Sequence, residues 1–91
     1  MRIVYSEQTK KNINDIANYT ENKWGKSKRI ELIKQIADSI GIISEFPRNA
    51  KFDLDLALHY KLLPKLPFVI VYAVETDSIR VIKIIHTKRN R

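Results

Sequence analysis

The chain has 91 residues, of which 44% are hydrophobic and 30% charged, and it has no cysteine. That is the size and balance of one small globular domain with a single core, and it excludes disulfides, thiolate metal sites and thiol nucleophiles. Lys and Arg number 17 against 10 Asp and Glu, a net charge of +7. The excess gathers near the carboxyl end. From Ser78 to Arg91 the sequence has Arg80, Lys83, Lys88, Arg89 and Arg91 and no Asp or Glu, a cluster suited to phosphate or to an acidic protein surface. His59 and His86 are the only imidazoles and lie far apart, so no metal site and no cofactor is expected. No apolar run approaches the roughly 20 residues of a membrane span. The segment Met1-Arg2-Ile3-Val4-Tyr5 turns polar too soon for a signal peptide. A cytoplasmic protein without membrane contact is the expectation.

In chain order, Arg2 to Tyr5 is β-branched enough for a short strand. Ser6 reads as an N-cap with Glu7 at the positive end of the following helix. Thr9, Ile13, Ile16, Ala17, Thr20 and Trp24 fall at steps of three and four and mark one face of that helix. Gly25 stands where a left-handed cap ends it. Ser27 is placed to cap a second helix, whose stripe is Ile30, Ile33, Ile36, Ala37, Ile40 and Ile43, and Pro47 stops it. Two helices joined by Gly25-Lys26 make an antiparallel hairpin with one-sided apolar faces, which must lie on something.

Arg48 to Leu56 reads as a polar, irregular loop. Leu58 to Leu63, Pro67 to Val74 and Ser78 to His86 follow as strands, the last two joined by a turn at Glu75-Thr76-Asp77-Ser78. Phe68 to Val74 is apolar on both faces, as a central strand is. In the last strand Arg80, Ile82, Ile84 and His86 share one face and Ile79, Val81, Lys83 and Ile85 the other, and either can meet the helices. The expected fold is α+β, in the order β-α-α-β-β-β, with a helical hairpin packed on one face of a small, mainly antiparallel sheet.

Residues with chemical potential are few. The serines fit caps, helix positions and a turn, and two glycines cannot build a phosphate-cradling loop. The pairs Asp53/Asp55 and Glu75/Asp77 sit beside turn residues. His86 ends a strand and precedes Thr87-Lys88-Arg89-Asn90-Arg91; an imidazole titrates near neutrality and suits proton transfer or a closing hydrogen bond. Lys61 and Lys65 flank the turn into the following strand and suit phosphate contact or edge protection. Tyr60 and Tyr72 can stack on bases, though Tyr72 reads as core.

Four segments together resemble the ParE/RelE superfamily of type II toxin–antitoxin toxins, and the ParE branch above all. Ile16-Ala17-Asn18-Tyr19-Thr20-Glu21-Asn22-Lys23-Trp24-Gly25 resembles the I-x-x-Y-x-x-x-x-W-G end of their first helix. Ile42-Ile43-Ser44-Glu45-Phe46-Pro47 resembles the end of their second helix. Phe68-Val69-Ile70-Val71-Tyr72 resembles their aromatic, apolar third strand, and Ile84 to Asn90 their closing histidine–x–x–arginine segment. The resemblance implies a bacterial, plasmid- or phage-encoded growth inhibitor neutralised by a cognate antitoxin. ParE-like members are associated with DNA gyrase and are not known as enzymes, whereas RelE-like members cleave mRNA on the ribosome. For target binding it points to Lys61, Lys65, Lys83, His86, Lys88 and Arg89. Under the nuclease alternative, His86, Lys61, Lys65 and Arg89 form a reduced catalytic set. Lys61 stands where the family often has arginine, and no tyrosine lies near the carboxyl end. A non-catalytic basic nucleic-acid-binding module is the third alternative.

Overall fold

A computed structural model describes residues 1–88. Its elements are β1 (Arg2–Tyr5), α1 (Glu7–Trp24), α2 (Lys26–Glu45), β2 (Lys51–Asp53), β3 (Leu58–Leu62), β4 (Phe68–Val74) and β5 (Ser78–His86). The five strands form one sheet in the order β1-β5-β4-β3-β2. β1 lies at an edge, parallel to β5. The other pairs are antiparallel. The helical hairpin and mainly antiparallel sheet match the expected fold class, with one strand more: Lys51–Asp53, expected in a loop, pairs with β3 through Phe52 opposite His59.

Gly25 alone separates the two helices. Its backbone, at φ 95° and ψ 175°, occupies a region open essentially to glycine only. Its N–H donates to the Glu21 carbonyl at 2.8 Å, and its carbonyl accepts from Arg29 N–H at 3.3 Å. α2 therefore starts at Lys26, and Ser27 lies inside the helix rather than capping it. The Arg29 guanidinium clamps the hairpin, reaching Asn18 Oδ1 at 2.8 Å and Glu21 Oε1 at 3.1 Å on α1.

The core is Leu32, Ile36, Ile40 and Ile43 from α2 against Leu63 just past the end of β3, Ile70 and Tyr72 of β4 and Ile79, Val81 and Ile84 of β5. The expected α2 stripe was out of phase in part. Ile36, Ile40 and Ile43 are buried, but Ile30 is 67% exposed, and Ile33 and Ala37 also face solvent, with Leu32 taking the inner position. Tyr72 is fully buried and its hydroxyl donates to the Pro47 carbonyl at 2.8 Å, tying the end of α2 to the sheet.

Neither alternating set in β5 is the inner face. Val71 pairs with Lys83 but Tyr72 with Val81, so Ile82 is an extra residue, a β-bulge. The bulge shifts the frame: Ile79 and Val81 point inward before it, and Ile84 after it. The start of α1 supplies the hydrogen bonds that the bulge and the end of β1 leave open. Ser6 N–H and Thr9 Oγ1 donate to the Val81 carbonyl, each at 3.0 Å. Ser6 Oγ donates to the Ile82 carbonyl at 2.6 Å while accepting from Thr9 N–H at 2.9 Å, the expected N-cap. Asn12 Oδ1 accepts from Ile84 N–H at 3.0 Å. Ser6, Thr9 and Asn12, spaced by three, stand beside β5 in place of a strand.

Candidate functional site

Where β5 ends, the two helices and the sheet border a groove of about 860 Å³. Ile16, Leu32 and Ile84 contribute its apolar floor, and Leu66, Pro67 and Phe68 from the β3–β4 connection form one wall. Asn12, Asp15, Lys28, Glu31, Gln35 and His86 add polar groups to the lining.

The aromatic signature of α1 stands at this groove. Tyr19 and Trp24 line it and remain 50% and 58% exposed. Their rings meet edge to face at a centroid distance of 6.0 Å. Lys23 Nζ lies 5.3 Å from the Trp24 centroid and 5.7 Å from that of Tyr19, and donates to the Tyr19 hydroxyl at 3.3 Å. Such a cation–aromatic cluster holds large side chains in place at low entropic cost. An ordered, half-exposed Trp is the kind of residue that anchors protein partners.

His86 lies at the same end. Its ring packs edge to face on Phe68 at 5.2 Å, and its Nδ1 accepts from Lys88 N–H at 3.1 Å. Thr87 fixes the strand end by donating from N–H (2.8 Å) and Oγ1 (3.3 Å) to the Pro67 carbonyl. Lys65, in the same β3–β4 connection, adopts φ 64°, an uncommon left-handed conformation for a non-glycine residue.

The sequence-selected residues do not form one cluster. Lys65, His86 and Lys88 are at the groove end of the sheet. Lys61 pairs with Ile70 and so lies on the helix side of β3, whereas Lys83 pairs with Val71 on the opposite face. Arg89 lies outside the described residues. Among the described residues, no three His, Asp or Glu side chains converge as metal ligands, and no helix is long and apolar enough to cross a membrane. The sequence selected no helix residue for binding, so it left out Tyr19 and Trp24 at this groove, whose walls come from four separated segments.

The second histidine is a different case. His59 is 4% exposed, stacked on Tyr72 at 5.1 Å with an 11° interplanar angle, and tilted against Phe52 at 4.6 Å. Its Nδ1 is buried with no hydrogen-bond partner. Burial, and secondarily the Arg48 cation, hold its pKa below the ordinary histidine value.

Comparison with known proteins assigns this architecture. The family model for the ParE toxin of the type II toxin–antitoxin system, parDE, matches residues 3–91. The chain therefore belongs to the ParE toxin family. It is 25% identical over 85 residues to Toxin ParE1 of Caulobacter vibrioides, spanning 93% of this chain and 88% of that protein. A solved structure of the chromosomal ParDE toxin–antitoxin system from P. aeruginosa superposes with a TM-score of 0.83 at 14% identity, over 94% of this chain and 95% of the other. That last likeness is one of fold.

Proposed function

We propose that this protein is a growth-inhibiting toxin that a cognate antitoxin neutralises and that blocks DNA gyrase by binding rather than by catalysis. The observation that carries the reading is the ParE family match across residues 3–91. The groove is the seat we assign to the antitoxin. Its apolar floor and half-exposed Tyr19 and Trp24 suit an amphipathic helix. Lys65 and Lys88 beside the groove, and the net charge of +7, favour acidic side chains on the incoming segment and a salt-sensitive association rate. Under this reading Lys61, Lys65, Lys83, His86, Lys88 and Arg89 serve contact and charge, and no side chain acts as acid or base.

The test is direct. Expression of the chain alone arrests bacterial growth, co-expression of its antitoxin restores it, and the purified toxin inhibits gyrase supercoiling. Under the nuclease alternative, purified toxin instead cuts mRNA on ribosomes, and His86→Ala in a folded protein slows that cleavage by about 10²–10⁴-fold. Ribosome-dependent cleavage with that dependence on His86, together with intact supercoiling, overturns the gyrase reading.

A further inference from the structure

At the far end of the sheet from the groove, the β2–β3 hairpin presents a surface of opposite character. Leu54 is 81% exposed, Leu56 63% and Phe52 48%. A small soluble domain rarely leaves large apolar side chains side by side in water without a use for them. The tip is shaped rather than slack. Asp53 Oδ1 accepts from Leu56 N–H at 3.1 Å, and Ala57 closes the turn at φ 56°. The aromatic row Phe52–His59–Tyr72 ties the hairpin to the core from behind. Folding does not call for Leu54 and Leu56, which join no core cluster.

Charge separates this tip from the rest of the molecule. The chain carries +7 overall, yet Asp53-Leu54-Asp55-Leu56 alternates carboxylate and leucine. Among the described residues neither Asp53 nor Asp55 has a salt-bridge partner. Residues 53–56 offer only leucines and carboxylates, whereas the groove is lined by Tyr19, Trp24 and a mix of Asp15, Lys28 and Glu31, so the two surfaces suit different partners.

We infer that the hairpin tip is a second docking surface, which inserts Leu54 and Leu56 into an apolar cleft with a cationic rim on the protein the toxin inhibits. This rests on the proposed function insofar as it requires a protein target. It adds that the target is gripped at the end of the sheet opposite the antitoxin groove.

The experiment uses the full-length chain carrying Leu54→Ser/Leu56→Ser, and separately Asp55→Lys, which leaves the Asp53 turn intact. Growth arrest, gyrase supercoiling and antitoxin affinity are measured for each. The double variant is expected to need at least about 10-fold more toxin for half-maximal supercoiling inhibition, as the loss of a hydrophobic anchor does, and to lose growth arrest. Asp55→Lys is expected to weaken inhibition several-fold at low salt and less at high salt. Thermal midpoint and antitoxin affinity stay at the wild-type values, because the tip is outside both the core and the groove. Wild-type potency in the double variant overturns the inference, as does an equal loss of antitoxin affinity. So does a concentration-dependent self-association that the double variant abolishes, which makes the tip a contact between copies. If wild-type toxin arrests growth but spares gyrase, the gyrase reading fails while the growth assay of the double variant still decides the hairpin. If wild-type toxin does not arrest growth at all, both fail.

Discussion

The two sides of the sheet are made from similar strand sequences and end in different environments. On the β5 side, α1 lies along the strand and gives it what a neighbouring strand would: Ser6, Thr9 and Asn12 satisfy the backbone at and after the bulge, and Ile79, Val81 and Ile84 go into the core. On the β2–β3 side burial is confined to His59, stacked on Tyr72, and to Leu63 just past the end of β3, while Phe52, Leu54 and Leu56 stay in water. Apolar, β-branched sequence decides where strands form, but the reach of the helical layer decides which of their side chains become core.

The sharpest way to break that comparison is truncation on each side. Ile79 is fully buried and Leu54 is 81% exposed. Ile79→Ala is expected to cost about 2–5 kcal/mol through lost burial and a residual cavity. Leu54→Ala should stay within about 0.5 kcal/mol, as surface changes do. Urea unfolding of both variants, monitored by circular dichroism, reads the two values. Equal losses remove the distinction between a core side and a free side.

A smaller effect is expected where α1 stands in for a strand. Asn12→Ala strands the N–H of Ile84, a residue 3% exposed, and should destabilise by about 1–3 kcal/mol. Asn14→Ala, two residues on, on the other side of α1 and exposed, is the control and should change little. The same unfolding experiment compares them. Hydrogen exchange at Ile84 should also accelerate in Asn12→Ala and not in Asn14→Ala.

The contrast between these two asparagines also marks how far the sequence could be read. Ser6, Gly25, Pro47 and the turn at Glu75 to Ser78 act through local backbone chemistry, and each was legible: the Ser6 cap and the Glu75 N–H to Ser78 carbonyl bond at 2.8 Å are where the residues called for them. Thr9 was legible as an inner position but not as a donor to Val81, because its acceptor is 72 residues away. The Ile82 bulge carries no composition signal, so alternation in β5 fails halfway along. Ile30 and Ile33 fit a helical stripe, but Leu32 between them takes the inward position of that turn and leaves both isoleucines facing outward. Of the candidate site only His86 was legible; Tyr19 entered through the family signature alone, and Trp24, expected on the apolar face of α1, is 58% exposed at the groove. Phe52 pairing with His59 was hidden because a three-residue edge strand is defined by its partner.

On the hairpin side, stability depends on keeping His59 neutral. Its folded-state pKa lies below the ordinary value, through burial first and the Arg48 cation second. The unfolded chain, with histidine near its ordinary pKa of about 6.5, takes up the proton first. The stabilising contribution is therefore complete above about pH 6.5 and is lost progressively as the pH falls through that value towards the folded-state pKa. Melting temperature recorded from pH 8 to pH 5.5 should fall more steeply for wild type than for His59→Phe, which keeps a ring between Phe52 and Tyr72 and removes the proton site. Parallel curves mean that His59 is not the group responsible.

The smallest effect concerns charge on the two sides. Arg80, on the outer face of β5, pairs with Glu75 at 2.7 Å, with both side chains about half exposed (52% and 43%). Asp55 on the hairpin has no such partner among the described residues. An exposed pair gains little from Coulomb attraction in water and loses side-chain freedom, so its coupling should be about 0–1 kcal/mol and shrink with added salt. A double-mutant cycle on Arg80→Ala and Glu75→Ala at low and high salt measures it. The sign matters more than the size. A favourable, salt-screened coupling means that Glu75 has its charge answered within the molecule while Asp55 does not, so the hairpin tip is left as the anionic surface facing outward. A coupling of zero at both salt concentrations makes Glu75 as free as Asp55 and spreads the acidic surface across the turn at Glu75 to Ser78. The cationic rim of a partner would then have to reach across both turns, and the effect of Asp55→Lys on inhibition should fall in proportion.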